Sequence, residues 1–243
     1  MSSFQEIYVL NKRLKLAHLP NGFKTSIDSV LLAAACPAKA GDAVLDMGCG
    51  VGGAGLCVLS RVDGLRLTGV EIQAEQVELA ERNAITNSFQ TRCEFVCADI
   101  RDYKKERAFD QIICNPPYLE TGKHLRSPHP EKATAMGHDE DDLSIQDWID
   151  AAFYCLRPKG TLTMIHRSDF ADKIIQALGT RFGAIEIFPL WPKEGVDSKR
   201  VIIRAGRERK SPMTLHYGLV LHDEDGEYTH EANRILRDEK ALF

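Results

Sequence analysis

The ten residues Val44-Leu45-Asp46-Met47-Gly48-Cys49-Gly50-Val51-Gly52-Gly53 restrict the architectures open to this chain more than any other segment. A short apolar run enters a cluster of glycines and leaves as the helix-compatible stretch Ala54 to Arg61, the strand, turn and helix that open a Rossmann-like α/β sheet. Gly48, Gly50 and Gly53 fit the G-x-G-x-x-G pattern, which marks a nucleoside-binding turn without choosing the ligand. Asp46 narrows the choice. A carboxylate at the entrance of this turn repels a pyrophosphate seated on the following helix N-terminus and attracts an ammonium or sulfonium. S-adenosylmethionine carries both cationic groups and no phosphate, so it is the expected cofactor, with Asp46, Gly48, Cys49, Gly50 and Gly52 as candidate contacts.

Two more acids stand at the ends of apolar segments. Glu71 closes Leu67-Thr68-Gly69-Val70-Glu71, where a carboxylate can accept both ribose hydroxyls, and Ile72 beside it is grouped with the cofactor. Asp99 closes Cys93 to Asp99 and can accept from an adenine amine while Ile100 flanks the ring. A fourth apolar run, Ile112-Ile113-Cys114, ends in Asn115-Pro116-Pro117-Tyr118. Proline cannot continue a sheet ladder, so the strand stops at Asn115 and the fixed φ of both prolines holds one backbone shape beyond it. Such an end offers the Asn115 side-chain oxygen and the Pro116 carbonyl as acceptors for the two hydrogens of an NH2 group on a planar system, with Tyr118 as a stacking face.

Together, Asp46-x-Gly48-x-Gly50, Glu71, Asp99 and Asn115 to Tyr118 resemble, in order and spacing, the motifs of class I S-adenosylmethionine-dependent methyltransferases. The preceding segment Gly22 to Ala33 is similar to that of the bacterial tRNA (valine) adenine exocyclic-amine methyltransferase family, and the similarity runs through almost the whole chain. The resemblance implies a seven-stranded, mostly parallel sheet with an antiparallel edge hairpin and helices on both faces. It implies tRNA as partner, and Lys24, Thr25 and Asp28 as residues bordering the cofactor's methionine end; the same residues also read as the cap of a helix starting near Ser26 or Asp28. Asn115, Pro116, Pro117 and Tyr118 are then the catalytic candidates, and Asn115 also borders the cofactor. A protein-glutamine methyltransferase uses a similar motif, but only about 45 residues precede the glycine turn, too few for that family's helical recognition domain. DNA adenine methylation generally demands a target-recognition domain that is not seen here. A small-molecule methyltransferase and a binding-only protein also stay open at this point.

At 243 residues a single α/β domain is expected, with 1–42 as an N-terminal extension and 119–143 as an active-site loop. The stretch to about Asn21 reads as polar or irregular, and Arg157-Pro158-Lys159-Gly160 as a stop between a helix and the fifth strand. The seven cysteines form no C-x-x-C, which points to a reduced, cytoplasmic protein without zinc. Neither a signal peptide nor a membrane span is expected. His124, His129 and His138 lack metal-ligand spacing. With 31 basic against 35 acidic residues, RNA binding has to rest on a local patch. The candidates are Lys123, Arg126 and Lys132 in the loop, Lys193, Lys199 and Arg200, and the cluster Arg204 to Lys210. A monomer or weak homodimer is expected.

Overall fold

Successive side chains of the central strands are buried on opposite faces, so each of these strands serves two cores. The computed structural model describes residues 4–20, 26–117 and 143–243. Strands β3 (Ala43–Met47), β4 (Arg66–Glu71), β5 (Cys93–Cys97), β6 (Phe109–Cys114), β7 (Leu156–Arg167), β8 (Phe182–Trp191) and β9 (Arg200–Arg207) form the expected seven-stranded sheet. The two-residue strands β10 (Thr214–Leu215) and β11 (Leu219–Val220) extend its β8 edge in parallel. The order across the sheet is β10-β8-β9-β7-β6-β3-β4-β5, with β9 antiparallel to both of its neighbours.

The helices are α1 (Ile27–Ala35), α2 (Gly53–Arg61), α3 (Ala74–Thr86), α4 (Ile145–Cys155), α5 (Ala171–Leu178) and α6 (His230–Arg237). On one face Val44, Leu67, Ile113, Ile165 and Ile202 pack with α1, α2 and α6. On the other, their chain neighbours Leu45, Ile112, Met164, Val201 and Ile203 pack with α4 and α5. This period of two is why the central strands read as continuous apolar runs in the sequence.

Two expectations need correction. The N-terminal stretch is a hairpin, β1 (Gln5–Val9) with β2 (Leu14–His18), closed through Leu10, Asn11 and Lys12, all at positive φ. None of these three is glycine and Asn11 alone among them is a turn former, so the turn left only a weak sequence signal. Leu14 and Leu16 bury one side of β2, and Asn83 of α3 supplies its missing partner, donating to the Ala17 carbonyl at 3.0 Å and accepting from the Ala17 amide at 2.8 Å. The same amide group donates to the Val51 carbonyl at 3.0 Å, which ties the hairpin to the glycine turn. The second correction concerns residues 157–160. They do not separate α4 from a strand; β7 begins at Leu156, and the irregularity is taken up as a register shift, with Lys159 at φ +64°. Among the described residues no helix is long and apolar enough to cross a membrane.

Candidate active site

Register places the sequence-predicted residues on one edge. Met47 pairs with Val70 on one side and Cys114 on the other, so Gly48, Glu71 and Asn115 stand at the same level. Cys97 is level with Glu71. With strands about 4.8 Å apart, the carboxyl edge runs Asn115, Gly48, Glu71, Asp99 over roughly 15 Å. The chain moves from β3 to β4 and β5 in one direction and returns to β6 on the far side of β3, which makes the β3/β6 crevice the switch point where open sheets bind ligands.

The glycine turn is built by backbone needs. Gly48, Gly50 and Gly52 have φ of +67°, +54° and +83°, the left-handed region that costs other residues energy. The Gly48 and Cys49 amides donate to the Val70 carbonyl at 2.8 and 3.0 Å. A Cβ on Gly48 would meet Trp148 Cη2 at 2.6 Å. Trp148, from α4, also lines a cavity of about 20 Å³ with Pro116, Pro117, His166 and Phe170, so one buried indole supports both the turn and the Asn115-Pro116-Pro117 end. His166 packs on Phe170 at 4.7 Å, and burial pushes its imidazole down to about 4, so it is neutral at physiological pH. Trp148 belongs to no motif of the sequence. Gln76, whose Oε1 lies 3.4 Å from where a Gly50 Cβ would be, carried no motif at all.

The three acids behave differently. Asp46 is turned into the fold at 2% exposure, and its Oδ2 accepts from the Gly55 amide of α2 at 2.8 Å. It anchors the N-terminal turn of α2. Burial pushes its carboxyl up to about 7, with the Gly55 N–H opposing. Glu71, 7% exposed, accepts from the Gly50 amide through Oε2 and the Gln73 amide through Oε1, both at 3.0 Å. Each oxygen retains capacity for a further donor. Beside it Ile72 is 52% exposed, an apolar side chain presented at the edge, whereas Ile100 is packed into the core. Burial raises the Asp99 carboxyl, but the Arg101 guanidinium and amide outweigh it and hold it below the ordinary range. Arg101 Nη2 lies 2.7 Å from Asp99 Oδ2. The Cys49 thiol is raised well above its usual range by burial, then by Asp46 and Glu71.

Asp28 lies in the first turn of α1, capped by Ser26, and is paired with Arg200 at 3.2 Å. Of the two roles read from the sequence, the cap therefore falls to Ser26, and the Asp28 carboxylate is turned to Arg200 of β9. Lys24, Thr25, Tyr118 and the 119–142 part of the loop, with Lys123, Arg126 and Lys132, lie outside the described residues.

The structure overturns the Arg204 to Lys210 patch. β9 is antiparallel, so Arg200 sits level with Arg167 at the carboxyl edge while Arg207 lies at the opposite edge, roughly 24 Å along the strand. Arg207 is buried, donates to the Phe153 and Leu156 carbonyls and stacks on Phe153 at 4.1 Å. Arg204 pairs with Glu186, and Arg209 donates to the Lys159 carbonyl at 2.8 Å. These charges serve the fold.

A family model described as the methyltransferase small domain matches residues 15–129. The chain is 28% identical over 232 residues to a tRNA1(Val) (adenine(37)-N6)-methyltransferase of Glaesserella parasuis, covering 94% of this chain and 93% of the relative. A protein of the same name from Shewanella baltica is 27% identical, with 93% and 96% covered. Among solved structures, a predicted O-methyltransferase from Agrobacterium tumefaciens superposes with a TM-score of 0.73 at 26% identity, covering 89% of this chain and 98% of that one.

Proposed function

The chain is a class I S-adenosylmethionine-dependent methyltransferase, and we propose that its acceptor is the exocyclic amine of an adenine in tRNA. The observation that carries the reading is the position of Asn115-Pro116-Pro117 one strand from the glycine turn, on the same edge as Glu71 and Asp99. The relatives named for adenine(37)-N6 methylation of tRNA1(Val) support the choice of acceptor.

The residues suit the cofactor. Glu71 has acceptor capacity for ribose hydroxyls, and Ile72 offers an apolar face for adenine. Asp99 meets the adenine amine by sharing its carboxylate with Arg101. Bound S-adenosylmethionine supplies a methyl on a sulfonium that departs without acid assistance.

The protein's work is done on the nucleophile. An adenine amine is weakly nucleophilic because its lone pair is delocalised into the ring. Asn115 Oδ1 and the Pro116 carbonyl, accepting its two hydrogens, favour the tetrahedral nitrogen of the transition state and aim its lone pair along the edge toward the turn. Preserving that line is the task of the rigid Pro116-Pro117 backbone and the Trp148 behind it, and alignment of this kind is worth several kcal/mol. The base has to be splayed from its loop to reach the edge, where Tyr118 would stack on it.

The test is transfer of label from methyl-labelled S-adenosylmethionine to unmodified tRNA, DNA and protein extract in parallel, followed by digestion and mass spectrometry. N6-methyladenosine from tRNA is the expected product. Label confined to DNA or protein would overturn the acceptor and leave the cofactor site standing.

A further inference from the structure

A second cavity stands apart from the glycine turn. It is a space of about 480 Å³ bounded by Trp191, Glu194, Val196, Asp197, Tyr217 and Glu231. That volume falls within the about 300–1,000 Å³ of small-ligand sites. Register fixes its location: Arg167 pairs with Arg200, which pairs with Leu190, so Trp191 emerges at the same carboxyl edge as Asn115. The two are three strands apart, roughly 15 Å. A loop strand of RNA with its adenine at Asn115 covers that distance within a few nucleotides.

Tyr217 is the unusual wall. The residue is 80% exposed, yet its carbonyl accepts from Trp191 Nε1 at 3.0 Å and its hydroxyl donates to Glu231 Oε1 at 3.5 Å. Gly218 follows at φ +87°, where a Cβ would meet the Pro189 carbonyl oxygen at 2.3 Å, so the backbone beneath the ring has one available course. An exposed aromatic face on a fixed backbone is a preorganised stacking platform.

The polar wall selects among bases. Glu194, Asp197 and Glu231 are acceptors, while Lys193 donates its Nζ to the Glu224 carbonyl at 3.3 Å. Guanine alone among the four bases presents two adjacent donors, N1–H and the N2 amine, to a single carboxylate; adenine and cytosine place a ring acceptor beside their amine, and uracil flanks its one N–H with carbonyls. The carboxylates also keep phosphates out, leaving the backbone outside, near the exposed Lys193 of the wall.

Resting on the tRNA-adenine reading above, we propose that this pocket takes an unpaired guanine of the same RNA, stacked on Tyr217 and held by a carboxylate of the wall. It would set which adenines are presented to Asn115.

The experiment uses the full chain saturated with S-adenosylmethionine, which closes the cofactor's own site to the nucleosides, and each titration is repeated on Tyr217→Ala, so that the binding lost in the variant is the share due to this pocket. Guanosine, inosine, adenosine and cytidine are titrated calorimetrically, and tRNA methylation kinetics are measured for wild type and Tyr217→Ala. Guanosine should bind at least roughly tenfold more tightly than inosine, which lacks the N2 amine. Tyr217→Ala should raise the KM for tRNA by roughly 5- to 100-fold, with kcat and cofactor affinity unchanged. Equal binding of the four nucleosides, an unchanged KM, or preference for an arginine-rich peptide would overturn the pocket while tRNA methylation still stood. Guanosine bound through Tyr217 by a protein that methylates no tRNA would sustain the pocket and overturn the acceptor.

Discussion

Gly48→Ala is the substitution that most directly tests how the turn and the Asn115 end are coupled. The residue has φ of +67°, and the added methyl would lie 2.6 Å from Trp148 Cη2 and 3.2 Å from its Cζ3. The left-handed backbone costs a non-glycine residue about 1–2 kcal/mol. Overpacking against a buried ring adds about 1–3 kcal/mol, because the indole is held by its neighbours. The sum, about 2–5 kcal/mol, is a large part of a typical stability of about 5–15 kcal/mol, so the variant folds with a Tm lowered on the order of 10 °C. The ring's available relief is the cavity of about 20 Å³ it shares with Pro116 and Pro117, so transfer should fall more than cofactor affinity. The assay is a double-mutant cycle with Trp148→Phe, read by urea unfolding and by single-turnover methylation. Phenylalanine removes the clashing atoms and leaves the φ cost, so the coupling should equal the overpacking part, about 1–3 kcal/mol. Additive effects within about 0.5 kcal/mol would refute the contact as the origin of the loss.

Asn115→Ala should abolish methyl transfer while cofactor affinity stays within a few-fold; unchanged turnover would remove the amide from the mechanism. Asp46, raised from 3.8 to about 7 by burial, binds its proton more tightly folded than unfolded, so its contribution to stability is lost as pH rises from about 4 to 7. His166, pushed down to about 4, acts in the opposite sense between pH 4 and 6.5, so the measurement is the difference between wild type and Asp46→Asn. That difference should grow in favour of Asn by on the order of a few kcal/mol across this window, and a flat difference would contradict the buried, ligand-free carboxylate. Neutralising Arg209 and Lys210 should leave RNA binding and its salt slope unchanged, whereas Arg207→Ala should cost stability by about 2–4 kcal/mol, read by urea unfolding.

The sequence by itself determined what depends on local backbone chemistry. The glycines of the turn, the acids closing β4 and β5, and the prolines that end β6 are each dictated by the φ or hydrogen-bond requirement of one short segment, so their roles are legible without neighbours. The apolar runs of β3, β4 and β6 are likewise legible, because a strand buried on both faces must be apolar throughout, whereas the count of seven strands came with the family resemblance. Tertiary structure decided what depends on who sits opposite. The β1/β2 hairpin is paired by Asn83, far away in sequence. Asp46 faces Gly55 of α2, and Trp148 backs both the turn and the two prolines from across the loop. The reversal of β9 carries the basic cluster that follows Arg200 to the wrong edge and brings Trp191 to the right one. Strand direction and side-chain partners are properties of long-range packing, and residues adjacent in sequence carry no record of either.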